Sequence, residues 1–135
     1  MPPNHILVID DDPLVARIIA FGLERVGGEL VLDYASSGLH GLELARTYPP
    51  CLIILDFAMP GMDGLETLRH LRANALTGGT PIVAISGALN LCERGKEMIA
   101  LSDAYLPKPF DFKELFDVLS RCAQPDADVT TQRPL

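Results

Sequence analysis

The chain predicts an α/β domain built on a doubly wound, five-stranded parallel sheet with five helices. Three observations carry that expectation. Short apolar runs alternate with amphipathic segments five times along the sequence. The clearest runs are aliphatic throughout rather than alternating, as strands buried on both faces are. Most of the runs break off at a polar residue followed by turn or capping residues. Such an order implies parallel strands joined by right-handed crossovers, with helices on both faces.

The first run, Ile6-Leu7-Val8-Ile9, ends in Asp10-Asp11-Asp12-Pro13. Asp12 is a natural N-cap with Pro13 at the first helical position. Leu14, Val15, Ile18, Ile19 and Val26 follow at helical spacing, and Gly27-Gly28 closes the helix. Leu30–Ala35 is a second, weaker strand. Ser36-Ser37 offer caps for a helix to about Thr47, with Leu39, Leu42 and Ala45 inward and Tyr48-Pro49-Pro50 as its stop. The third run, Cys51-Leu52-Ile53-Ile54-Leu55, ends abruptly in Asp56, and Pro60-Gly61 lies in the loop beyond.

Asp63 and Glu66 have the spacing of a capping box, ahead of a helix carrying Leu65, Leu68 and Leu71. Ile82–Ile85 is the fourth strand and Ser86 follows it. The segment Leu89–Leu101 has a thin stripe of Leu91, Cys92, Met98 and Ile99, interrupted by Gly95. Ala104-Tyr105-Leu106 is a short fifth strand leading to Pro107-Lys108-Pro109-Phe110. Asp111 with Glu114 is another capping box, before a helix with Phe112, Leu115, Phe116 and Leu119 inward. The polar residues from Ala123 onward, with two prolines, read as a tail or linker.

Composition narrows the function. The chain of 135 residues has room for one domain with a real core, and its 48% hydrophobic content with five Phe, three Tyr and no Trp suits aliphatic packing. A net charge of −7 argues against direct nucleic-acid binding. No apolar stretch is long enough to span a bilayer, and the first residues lack the basic region of a signal peptide. Cys51, Cys92 and Cys122 lack paired spacing and read as reduced core thiols of a cytoplasmic protein. His5, His40 and His70 show no ligand spacing.

Ligands of open α/β sheets bind at the carboxyl edge, and there the polar residues gather. Asp10 and Asp11 end strand one, Asp56 ends strand three, Ser86 ends strand four and Lys108 follows strand five. Three converging carboxylates repel one another and call for a cation. Lys108 is one, and a hard divalent ion is the other; Mg²⁺ suits best, because it takes one or two carboxylates and meets phosphate oxygens. A carboxylate nucleophile beside a metal, an ammonium and a hydroxyl outlines a phosphoryl-accepting site. Asp12, Asp63 and Asp111 are read as caps alone.

With Asp10-Asp11-Asp12-Pro13, Leu55-Asp56-Phe57-Ala58-Met59-Pro60-Gly61-Met62-Asp63-Gly64, Ser86-Gly87 and Tyr105-Leu106-Pro107-Lys108-Pro109-Phe110 in this order, the chain resembles the receiver domains of two-component response regulators over about residues 5–122. The resemblance implies a flavodoxin-like fold with strand order 2-1-3-4-5, a receiver domain over residues 1–122 and a tail over 123–135. It implies Asp56 as phosphoacceptor, Asp11, Asp56 and the backbone carbonyl of Ala58 as direct Mg²⁺ ligands, and Asp10 assisting through water. Ser86 matches the switch hydroxyl, Tyr105 the switch aromatic and Lys108 the phosphate-pairing amine. The Lys108-Pro109 bond matches one that is usually cis in the family, an arrangement that would aim the lysine inward. Small Ala58 and Ala88 stand where family members control water access, which predicts an exposed phosphoaspartate. Gly87 and Leu101-Ser102 depart from the commonest pattern without removing a site group.

The implied function is a phosphorelay module. A histidine kinase or histidine phosphotransfer protein donates to Asp56, and the face of helix four, strand five and helix five switches. The output partner is not readable, and a phosphorylation-dependent dimer is left open. Two rivals differ in class. An aspartate phosphatase commonly carries a second Asp two residues after its nucleophile, where this chain has Ala58. A degenerate receiver that binds partners without phosphorylation is disfavoured because every site group is present.

Overall fold

The computed structural model describes residues 5–26, 30–87 and 92–123. Among these residues five strands and five helices alternate: β1 (His5–Ile9), α1 (Leu14–Val26), β2 (Val31–Ala35), α2 (Gly38–Thr47), β3 (Leu52–Asp56), α3 (Gly64–Ala73), β4 (Ile82–Ser86), α4 (Glu93–Leu101), β5 (Ala104–Pro107) and α5 (Phe112–Ala123). The strands form one parallel sheet in the order β2-β1-β3-β4-β5, the flavodoxin-like arrangement expected.

The central strands are buried on both faces, which is why their sequences read as unbroken aliphatic runs. Their side chains alternate between two cores. Leu7, Ile9, Ile53, Leu55, Ile82 and Ala84 pack with Ala45 of α2, the three leucines of α3 and Met98 of α4. Ile6, Val8, Leu52, Ile54, Val83 and Ile85 pack with Val15, Ala16 and Ile19 of α1 and with Leu115, Val118 and Leu119 of α5. Edge strand β2 is more exposed at its start, in keeping with its weaker pattern.

The caps behave as their chemistry predicts. Asp12 accepts from the Leu14 amide at 3.0 Å, with Pro13 opening the first turn. Ser37 accepts from the His40 amide and Asp63 from the Glu66 amide. Asp111 and Glu114 exchange both bonds of a capping box, at 2.8 and 3.0 Å. The Lys108-Pro109 peptide is cis.

Several inward assignments need correction. Leu39 is 65% exposed, because α2 turns Gly38, Gly41 and Ala45 to the sheet instead. The helix sits so close that a Cβ on Gly41 would stand 2.5 Å from Ile9 Cδ1. Leu14 is 54% exposed, since Val15, Ala16 and Ile19 carry the buried stripe of α1 and Leu14 lies on its flank. Phe116 is exposed at 37% and packs its ring against Phe112. Cys92 is an exposed thiol rather than a core one: it caps α4, its Sγ accepting from the Gly95 amide at 3.3 Å. The helix expected from Leu89 begins at Glu93, and residues 88–91 lie outside the described residues. The Gly27-Gly28 stop, the Cys122 side chain and the tail beyond Ala123 lie outside them too.

Candidate functional site

Each polar residue expected at the carboxyl edge reaches it because a strand ends there. β1 stops at Ile9 and Asp10 continues its line, its amide donating to the Ala35 carbonyl of β2 at 3.0 Å. In the adjacent strand Leu55 pairs with Ile9, so the next residue, Asp56, faces Asp10 across the rim. The Phe57 amide then donates to the Ile85 carbonyl at 3.0 Å, which fixes the strand end. The loop beyond turns at Gly61, whose φ of 78° favours glycine. It closes with the Gly64 amide on the Phe57 carbonyl at 2.8 Å. The Lys108 amide donates to the Ser86 carbonyl at 2.7 Å, bringing β5 and its lysine to the same edge.

One carboxylate oxygen from each of Asp10, Asp11 and Asp56 falls within a set whose members all lie within 4.8 Å of one another. Asp10 and Asp56 are buried, while Asp11 is exposed. Lys108 Nζ stands 3.0 Å from Asp10 Oδ2 and 3.2 Å from Asp56 Oδ1. Burial works to lower the lysine's pKa, but its hydrogen bond to Asp10 and the charges of Asp56 and Asp10 outweigh this and hold it above the ordinary value. The Asp56 carboxyl is pushed up to about 7, first by burial and then by the charge of Asp10, with Lys108 opposing both. One ammonium therefore does not neutralise the cluster. The donor set consists of hard oxygens, so a divalent cation such as Mg²⁺ matches it better than a metal seeking nitrogen or sulfur.

Ser86 is buried at the end of β4, its hydroxyl donating to the Gly87 carbonyl at a long 3.4 Å. It pairs in register with Pro107, so Tyr105 lies two residues down the neighbouring strand. Tyr105 packs against the core shared with α3 and α4, and among the described residues its hydroxyl is the buried side-chain group without a hydrogen-bond partner. The structure thus brings Asp10, Asp11, Asp56 and Lys108 together and sets Ser86 at the next strand end, with Tyr105 below. Ala58 is exposed in the loop after β3, and Ala88 lies outside the described residues.

Among the contacts with no counterpart in the sequence reading are two that involve residues named above. The Tyr34 hydroxyl donates to the Asp10 carbonyl at 2.7 Å. Arg94 grips Asp63, the cap of α3, with Nε at 2.8 Å and Nη2 at 2.9 Å. The only local sign of the first is a tyrosine, apolar in body and polar at its tip, one residue from a strand's end. Beside the site, Asp12, Leu14, Val15, Ile18, Lys108, Pro109 and Phe110 line a mainly apolar groove of about 330 Å³.

Comparison with known proteins agrees with this fold. The model of the response regulator receiver domain matches residues 6–120. Protein PilG of Pseudomonas aeruginosa is 31% identical over 114 residues, covering 84% of this chain and 83% of its own. The DNA-binding dual master transcriptional regulator RpaA of Synechocystis is 32% identical over 111 residues, 82% of this chain and 45% of its own. The chain spans about half the length of the first curated relatives it matches. Among solved structures, the receiver domain of the Francisella response regulator 1452 superposes with a TM-score of 0.75 at 32% identity, over 90% of this chain and 97% of that one. Fold and relatives agree, and the chain belongs to the response regulator receiver domain family.

Proposed function

We propose that Asp56 is the phosphoacceptor, taking a phosphoryl group from the phosphohistidine of a kinase or phosphotransfer protein. The observation that carries this reading is Lys108, shared between Asp10 and Asp56 at 3.0 and 3.2 Å beside a third carboxylate. An Asp56 oxygen attacks phosphorus in line, the P–N bond breaks as the P–O bond of the acyl phosphate forms, and the imidazole nitrogen leaves with the bonding pair. Lys108 meets the incoming phosphoryl oxygens, and Ser86, whose hydroxyl makes only a long bond to Gly87, donates to one of them. Asp11, Asp56 and the Ala58 carbonyl would hold Mg²⁺. Asp10, whose two oxygens already accept from the Asp12 amide and Lys108, suits a place one water removed. Bound there, the ion supplies positive charge that offsets the carboxylates and the phosphoryl group.

The groove beside Lys108 and α1 supports a docking place for the donor, since its lining includes Lys108, whose ammonium stands 3.2 Å from Asp56 Oδ1. No helix among the described residues is long and apolar enough to cross a membrane, and a cytoplasmic setting goes with the kinase reading. Downstream, attraction of Ser86 to the phosphoryl group opens space for Tyr105 and shifts the face of α4, β5 and α5. Ala58 in place of a second acid supports acceptance rather than turnover of outside substrates.

Incubation with acetyl phosphate and Mg²⁺, read by intact mass, is expected to add one phosphoryl group that is absent from Asp56→Asn. An adduct that persists in Asp56→Asn refutes the assignment. Sustained release of phosphate from an aryl phosphate moves the reading to a phosphatase.

A further inference from the structure

The acidic loop after β1 is anchored by groups outside it. Asp10 is 0% exposed and every polar group it carries is engaged. Its amide donates to Ala35, its carbonyl accepts from the Tyr34 hydroxyl at 2.7 Å, Oδ1 accepts from the Asp12 amide at 3.0 Å and Oδ2 from Lys108 at 3.0 Å. Two of these bonds fix the peptide planes on either side of Asp11. Because a peptide unit is planar and moves as one body, the hydroxyl that holds the Asp10 carbonyl also holds the Asp11 amide. The Asp10 carboxylate, by holding the Asp12 amide, likewise holds the Asp11 carbonyl. Asp11, the exposed acid of the cluster, therefore hangs between two anchored planes, and one anchor is a phenol on the edge strand.

Tyr34 is built for this. It pairs in register with Val8, and its ring packs against the core of α1 and α5, so the hydroxyl extends along the sheet to the loop two residues past Val8. A phenol is protonated at neutral pH and so serves there as a donor. Phenylalanine would fill the same space and offer the carbonyl nothing.

We infer that Tyr34 is a positioning residue for the cation and phosphoryl site, its hydroxyl setting the Asp10–Asp11 peptide plane and hence the approach of the Asp11 carboxylate to a bound ion. The inference rests on the reading of Asp11 and Asp56 as Mg²⁺ ligands given above.

The test titrates Mg²⁺ into the full chain carrying Tyr34→Phe, following the amide resonances of residues 10–12, with acetyl phosphate labelling run at low and saturating Mg²⁺. The expected result is a displaced Asp11 amide resonance before metal is added and a Kd for Mg²⁺ weakened about three- to tenfold, the effect of one ordinary hydrogen bond. Labelling slows at low Mg²⁺ and recovers at saturation, while Tyr48→Phe, a tyrosine outside the site, changes neither readout. Tyr34→Leu, which lacks the ring too, is expected to match Tyr34→Phe in Mg²⁺ affinity. An unchanged Kd, labelling that stays slow at saturation, or a Leu variant far weaker than the Phe variant overturns the inference. A wild-type chain that binds Mg²⁺ at these acids but is not labelled at Asp56 sinks the phosphoacceptor reading alone, and the Kd comparison still decides on Tyr34. One that binds no Mg²⁺ overturns both.

Discussion

Helices α3 and α4 lie side by side on one face of the sheet and are held there by different forces. α3 inserts Leu65, Leu68 and Leu71, each no more than 1% exposed, into the core. α4 buries only Gly95 and Met98 along its length. Its other ties to α3 are ion pairs at the surface, Arg94 with Asp63 and Arg69 with Glu97. Full burial of a leucine is worth about 2 kcal/mol, whereas exposed pairs are screened and contribute little. The difference shows where the domain can rearrange at low cost. α4 stands next to a Tyr105 hydroxyl that is buried without a partner among the described residues, a group whose cost another arrangement can relieve.

The comparison is broken most severely from the α3 side. Leu68→Ala removes a side chain from a site with no room to collapse and is expected to cost about 4 kcal/mol of global stability, read as a shift of the urea midpoint. Gly64→Ala comes next, because the new Cβ would stand 2.4 Å from the Asp56 carbonyl oxygen and 2.7 Å from Phe57 Cα. Those are backbone atoms that cannot rotate aside, so the start of α3 must shift, at about 2–3 kcal/mol. Slower acetyl phosphate labelling should accompany that loss, since the strand end that presents Asp56 moves with it. Met98→Ala, which removes the one large buried side chain of α4, is expected to cost about 2 kcal/mol. Native-state hydrogen exchange should show α4 amides losing protection ahead of α3 amides; equal loss in both helices would put them in one cooperative unit and dissolve the contrast.

Much of this was legible in the sequence, for a definite reason. β1, β3 and β4 are buried on both faces, so each wrote itself as an aliphatic run, and the acids of the site stand where those runs end. The caps at Asp12, Asp63 and Asp111 followed from local chemistry. What escaped had little local signature. Gly38 and Gly41 form the inward face of α2 because small residues permit close approach, but hydrophobic spacing pointed to Leu39. The Tyr34–Asp10 bond joins residues 24 positions apart and the Arg94–Asp63 fork residues 31 apart, so only the folded topology brings them together. Cys92 read as apolar because its thiol is, whereas at a helix start it serves as an acceptor.

The smallest expected effect concerns the fork itself, and pH sharpens it. Asp63 is held below the ordinary carboxyl pKa first by its hydrogen bonds from Arg94, with the Glu66 amide assisting. A depressed carboxyl stabilises the fold above the pKa it has when unfolded, and that contribution is lost as pH falls through the lower folded value. Acidification below about pH 4, the ordinary carboxyl value, should therefore weaken the fork progressively and release the start of α4 as Asp63 takes up its proton. Arg94→Ala should produce the same release already at neutral pH: α4 amides exchange about two- to fivefold faster, while the urea midpoint barely moves, as befits a surface pair. Because the variant has no fork left to titrate, acid should then add little to α4 exchange relative to α3. Exchange in α4 that accelerates with acid equally in Arg94→Ala and wild type would show that other carboxylates govern the helix, and that packing of Met98 alone distinguishes α4 from its neighbour.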